Sequence, residues 1–131
     1  LIMGNVQAVI DYLKGIGYNP IYDDQQLIEF LVNDVANGIA IDCNVTELPE
    51  ELNGIVVQRT VGRFLETKAF NGSLYDTLNI SYVAKKIVEG DTTIEMGVPD
   101  GQTPHKIIND YIKTMKEYGK RQIAAFRKIK W

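Results

Sequence analysis

Thr46-Glu47-Leu48-Pro49-Glu50-Glu51 reads as a helix start, and the residues after it decide the fold. The threonine hydroxyl can cap, proline suits a first turn where its missing N–H costs nothing, and the carboxylates favour the positive end of the helix dipole. Beyond it, Leu52, Ile55, Val56, Val61, Phe64 and Leu65 spread apolar side chains over an arc too broad for a helix lying on a surface. The stretch therefore predicts a third helix, central to a bundle.

On its N-terminal side, Val6, Val9, Ile10 and Leu13 recur at the spacing of one helical face, and Gly15-Ile16-Gly17 ends that first helix. After Asn19-Pro20, Asp23 is placed to cap a second helix, with Gln26 reaching back in a capping-box arrangement. Leu27, Ile28, Leu31, Val32 and Val35 continue it. Ile39 and Ile41 keep the pattern apolar past Gly38, so the helix is read through that glycine to Cys43.

On the C-terminal side the periodicity fades from Ala69 to Tyr82, which predicts a loop. Lys86-Ile87-Val88-Glu89 and Thr92-Thr93-Ile94-Glu95-Met96 are β-prone runs around the tight turn Gly90-Asp91, the pattern of a β-hairpin. Two strands alone are marginal in water, so such a hairpin must pack on the helices or on a neighbouring subunit. Thr103-Pro104 repeats the cap-then-proline start, and Ile107, Ile108, Tyr111, Ile112, Met115, Ile123 and Phe126 trace a long last helix interrupted at Gly119. The fold expected is mainly α: a single domain over 1–131, a small bundle of about four helices with one β-hairpin between the third and the last.

The 131 residues suffice for one core, and 45% apolar with 24% charged residues is an ordinary globular balance. A net charge of −3 argues against a dedicated nucleic-acid binder, whose affinity comes from Lys and Arg neutralising phosphates. No apolar run reaches the length of about 20 residues that spans a bilayer, and the N-terminal residues lack the basic flank of a secretory signal. Cys43 is the only cysteine, so neither an internal disulfide nor a thiolate metal cluster can form within one chain.

Candidate chemistry is sparse. Nucleophilic catalysis needs a base oriented by a third group, and the sole histidine, His105, lies in the first turn of the last helix, where an exposed polar role suits it. Cys43, among apolar residues at the end of the second helix, reads as a core thiol. Asp23-Asp24 and Glu50-Glu51 stand at helix starts, where capping and dipole complementarity explain them. No phosphate-cradling motif is present. The expectation is no enzyme: no catalytic residue, no metal ligand and no cofactor. The unusual surface feature is Phe126, Arg127, Lys128, Lys130 and Trp131, a basic segment bearing the only tryptophan, which reads as an interface that docks on another protein.

Three stretches together resemble the head-tail connector (adaptor) proteins of tailed bacteriophages of Gram-positive hosts. They are Asp42-Cys43-Asn44-Val45-Thr46-Glu47-Leu48-Pro49-Glu50-Glu51-Leu52, then Lys86-Ile87-Val88-Glu89-Gly90-Asp91-Thr92-Thr93-Ile94, then Phe126-Arg127-Lys128-Ile129-Lys130-Trp131. They are similar to that family's cysteine-asparagine element with its LPEEL helix start, its EGDT turn between strands, and its basic, Trp-ended terminus. The departures are the loop from Ala69 to Tyr82 and Gly38 within the second helix.

The resemblance implies a homo-oligomeric ring, usually dodecameric. Such a ring docks beneath the portal protein after DNA packaging, meets a downstream head-completion or tail protein, and extends the DNA channel without reading its sequence. It implies a virion location at the head-tail interface, with host cytoplasm during assembly and no membrane. The competing expectation is a small helical DNA-associated packaging or regulatory protein that uses the basic C-terminal residues, with affinity that falls steeply as salt rises. An enzyme built on Cys43, His105 and acidic residues is the third.

Overall fold

The computed structural model describes residues 2–70, 83–87 and 103–126. These are mainly helical, in the order α1 (Ile2–Gly15), α2 (Tyr22–Asp42), α3 (Asn53–Phe70), α4 (Pro104–Lys116) and α5 (Lys120–Phe126). A 3-10 turn at Glu50–Leu52 leads into α3, and a helical turn covers 83–87.

Local chemistry sets the helix boundaries. Gly17, at φ 96°, ends α1: the Tyr18 N–H donates to the Leu13 carbonyl at 2.9 Å and the Gly17 N–H to that of Lys14 at 3.1 Å. This is the Schellman geometry, which needs a left-handed residue. The same pair of bonds closes α2, where Val45 donates to Ala40 and Asn44 to Ile41, both at 3.0 Å. The left-handed residue there is Asn44, at φ 57°, a side chain that tolerates that conformation better than most. Cys43-Asn44 is thus the stop signal of α2. As expected, the helix runs through Gly38, and Thr103 Oγ1 caps α4 by accepting from the Lys106 N–H at 3.2 Å, with Pro104 in the first turn.

Four expectations are corrected. Helix α2 begins at Tyr22, ahead of Asp23, because the Asp24 carboxylate accepts from the Ile21 N–H at 3.1 Å and caps the end itself. Ala69 and Phe70 belong to α3, so the run expected as a loop begins after them. The last helix is two: Gly119, at φ 84°, breaks the stripe between α4 and α5. Lys86 and Ile87 are helical, not the start of a strand. Val83, Ala84 and Ile87 fall on one helical face and are buried together, and such burial outweighs a context-dependent β-propensity. The hairpin turn, Gly90 and Asp91, lies outside the described residues.

Helix α3 is central, packing against α1, α2 and α4. Val56, Val61, Phe64 and Leu65 are enclosed against Val9 and Leu13 of α1, Ile28 and Val32 of α2, and Ile108 and Met115 of α4. At the crossing of α3 and α4 a side chain at Gly62 would bring its Cβ within 2.8 Å of both the Lys116 backbone nitrogen and Met115 Cβ. Glycine is what permits that approach.

Candidate functional site

The most polar place inside the bundle was read in the sequence only as a helix start. Asp24 is 3% exposed, one turn before Ile28 and therefore in phase with the apolar stripe of α2. Its carboxylate accepts from the Tyr18 hydroxyl at 2.8 Å, from the Ile21 N–H, and from Lys68 Nζ at 2.9 Å. The Tyr18 ring in turn meets Phe64 edge-on, with centroids 5.4 Å apart. Burial alone would push the Asp24 carboxyl up. The donors from Lys68, Ile21 and Tyr18 outweigh it and hold the group below its usual range. Burial first, then the bond to Asp24, pushes the Tyr18 phenol far above its ordinary value.

What this network can do chemically is limited. A carboxylate that is satisfied by three donors and held ionised is a poor proton acceptor, and a phenol driven upward does not supply a proton at neutral pH. The arrangement is a strut joining the α1–α2 turn to the C-terminal half of α3. A sequence signal for it existed: Asp24 interrupts a row of apolar positions at helical spacing, where an acidic residue needs a partner.

Cys43 is fully enclosed, its Sγ lying 3.7 Å from the Ile123 carbonyl oxygen, whereas His105 is exposed at the start of α4. The two do not share an accessible site. Among the described residues no group of three or more His, Cys, Asp or Glu side chains could hold a metal ion. Of the proposed docking residues, Phe126 closes α5, and Arg127, Lys128, Lys130 and Trp131 lie outside the described residues.

The surface feature that the sequence reading missed is the outward face of α2. Tyr22, Gln26, Phe30, Asn33, Asn37 and Ile41 follow one another at three- or four-residue steps, all exposed and none charged. Tyr22 is 78%, Phe30 64% and Ile41 79% exposed. Ile41, read in the sequence as part of the buried pattern, points outward because it is out of phase with Ile28, Val32, Val35 and Ile39. The signal was present as apolar residues off the main stripe.

Beside this face a shallow groove of about 340 Å³ runs between α2, α3 and the end of α4, lined by Asp34, Gly38, Ile41, Arg59, Arg63 and Lys116. Two of its three cations are ion-paired. Arg63 pairs with Asp34 and Lys116 with Glu66. The Arg59 Nε donates to the Tyr118 carbonyl at 2.7 Å, and burial lowers its pKa against the pull of Asp42 and Glu117.

Comparison with protein-family models, with curated proteins and with solved structures finds no match. Among the described residues no helix is long and apolar enough to cross a membrane.

Proposed function

We propose that this chain is a structural subunit that assembles with copies of itself into a ring between portal and tail of a phage virion, extends the DNA channel during head completion, and catalyses no reaction. The observation that carries this reading is the outward face of α2, where Tyr22, Phe30 and Ile41 stand exposed along an uncharged line. Exposed aromatic and aliphatic anchors on a charge-depleted strip are the composition of a protein-protein contact. The motifs behind the family resemblance add support. Cys43-Asn44 terminates α2 and Leu48-Pro49-Glu50-Glu51-Leu52 leads into α3, so the first motif is an architectural element and not a reactive one.

In a ring each subunit meets its neighbours through two different surfaces. The α2 face is one. Phe126, Arg127, Lys128, Lys130 and Trp131 dock on the portal or an adjoining component. Electron microscopy of the protein alone and mixed with portal tests the reading. Rings are expected in the mixture. Single subunits in both samples would overturn it, and a variant lacking Phe126 to Trp131 that still joins portal-containing capsids would remove the docking role.

A further inference from the structure

The outward face of α2 reads nearly the same in both directions. Its line, Tyr22, Gln26, Phe30, Asn33, Asn37 and Ile41, advances by four, four, three, four and four residues. A large apolar side chain stands at each end with an amide inside it, and Phe30 is beside the midpoint, between residues 31 and 32.

Two such helices laid antiparallel about a two-fold axis at that midpoint bring Tyr22 level with the partner's Ile41, Gln26 with the partner's Asn37 and Phe30 with the partner's Asn33. Every pair recurs by symmetry, as an isologous contact requires. The end pairs cover apolar side chains that are otherwise left to water. The amide pairs can exchange N–H donor and carbonyl acceptor. The two Phe30 residues fall about 4.5 Å apart along the axis at the α-helical rise, close enough for their rings to meet. Steps of three and four keep the line near the helix axis, so helices packed at a small crossing angle stay in contact along its length of about 28 Å.

Charge selects the same arrangement. Helix α2 carries Asp23, Asp24, Glu29, Asp34 and Asp42 and neither lysine nor arginine. A parallel pair would bring the two acidic first turns together and align the helix dipoles, whereas an antiparallel pair separates them. Asp34 comes level with the partner's Glu29, but Asp34 follows Asn33 on the line and Glu29 precedes Phe30, so the two stand on opposite sides of the seam. Asp23 follows Tyr22 and Gly38 follows Asn37, so these two share a side. Asp23 therefore comes level with the partner's Ala40, beside the groove that Gly38, Arg59 and Arg63 line. Arg63 is paired with Asp34, while Arg59 is in no ion pair among the described residues, so an incoming carboxylate is attracted there.

We propose that the chain pairs with a second copy of itself through the outward faces of the two α2 helices, antiparallel and centred between residues 31 and 32. The pairing does not rest on the ring reading. Where both hold, the face serves the dimer or the ring but not both at once, and the dimer must part before a ring closes.

Engineered cysteines test partner and register together. Tyr22→Cys mixed with Ile41→Cys should give a disulfide-linked dimer under mild oxidation. Tyr22→Cys alone should not, because the two copies of position 22 lie about 28 Å apart. Cys43 is enclosed, so the unaltered chain serves as the blank. In sedimentation equilibrium the average mass should rise from one chain toward two with concentration. Phe30→Lys, which sets two ammonium groups beside the two-fold axis, should raise the dissociation constant about tenfold or more. The three altered positions are exposed, and helical circular dichroism checks that each variant is folded. The mass of one chain up to millimolar concentration overturns the proposal. So does ready cross-linking of Tyr22→Cys alone, which marks a parallel pair, and so does a dimer indifferent to Phe30→Lys, which lies on another surface. Masses that grow beyond two chains overturn it as well, assigning the face to a head-to-tail contact.

Discussion

Asp24 and Lys68 meet at 2.9 Å across the bundle, one at the first turn of α2 and the other near the end of α3, with 4% and 17% of their side chains exposed. The pair is almost dry, so the two partners depend on each other unequally. Removing the lysine leaves a buried carboxylate with two neutral donors and no counter-charge. Lys68→Met is expected to destabilise the chain by about 3 kcal/mol in urea unfolding, and Asp24→Asn combined with Lys68→Met by less than the two single losses added. Additive losses would show that the pair is not coupled.

The same network gives the stability curve two edges. The folded pKa of Asp24 lies below its unfolded value of about 3.9, so its contribution is complete above that value and disappears as the pH falls through the folded one. The folded pKa of Tyr18 lies above its unfolded value of about 10, so its contribution is complete below that and disappears as the pH rises toward the folded one. Unfolding free energies measured against pH should therefore fall in acid and in strong alkali. Asp24→Asn should flatten the acid limb and Tyr18→Phe the alkaline one. An unchanged acid limb in Asp24→Asn would assign the acid sensitivity elsewhere.

Cys43 is expected to be inert in the folded chain. Its thiol is fully enclosed between the end of α2 and the Ile123 carbonyl, so a thiol reagent reaches it only through opening of that corner. Reaction with an aromatic disulfide reagent should be slow in buffer and immediate in denaturant. Rapid stoichiometric labelling of the native protein would show that α5 detaches readily.

Much of the bundle was readable because its signals are local. Apolar spacing located α1 to α4, the hydroxyl-then-proline pair fixed the start of α4, and Gly17 ended α1. The misreadings share a different cause: they depend on what a residue meets far along the chain. Asp24 resembles a surface cap until Lys68 is placed beside it, 44 residues away. Lys86 and Ile87 are β-prone until Ile87 finds the helical core. Ile41 belongs to an apolar run, yet α2's phase turns it outward. The exposed, uncharged face of α2 with Tyr22, Phe30 and Ile41 was not legible. The eye follows the buried stripe of a helix and discounts apolar residues on the other side.

Glycines distinguish packing from propensity, and three of them make opposite demands. Gly38 is helical and exposed with nothing within 4 Å of an added Cβ, so Gly38→Ala should stabilise by about 0.5–1 kcal/mol through helix propensity alone. At Gly62 the added carbon would sit 2.8 Å from the Lys116 backbone nitrogen, and backbone cannot swing aside. Gly62→Ala should cost about 1–3 kcal/mol by prising α4 from α3. Gly119 combines φ 84° with an added carbon 2.6 Å from Ile55 Cδ1. Its replacement by Ala carries about 1–2 kcal/mol for the left-handed backbone plus a collision that depends on Ile55. Shortening the neighbour separates the two contributions, because Ile55→Ala relieves the collision and leaves the backbone term in place. Thermal unfolding of Gly119→Ala, Ile55→Ala and the double variant should give a coupling of about 1 kcal/mol or more. Strict additivity would mean that backbone conformation alone, and not the seat of the α4–α5 break against α3, requires glycine at 119.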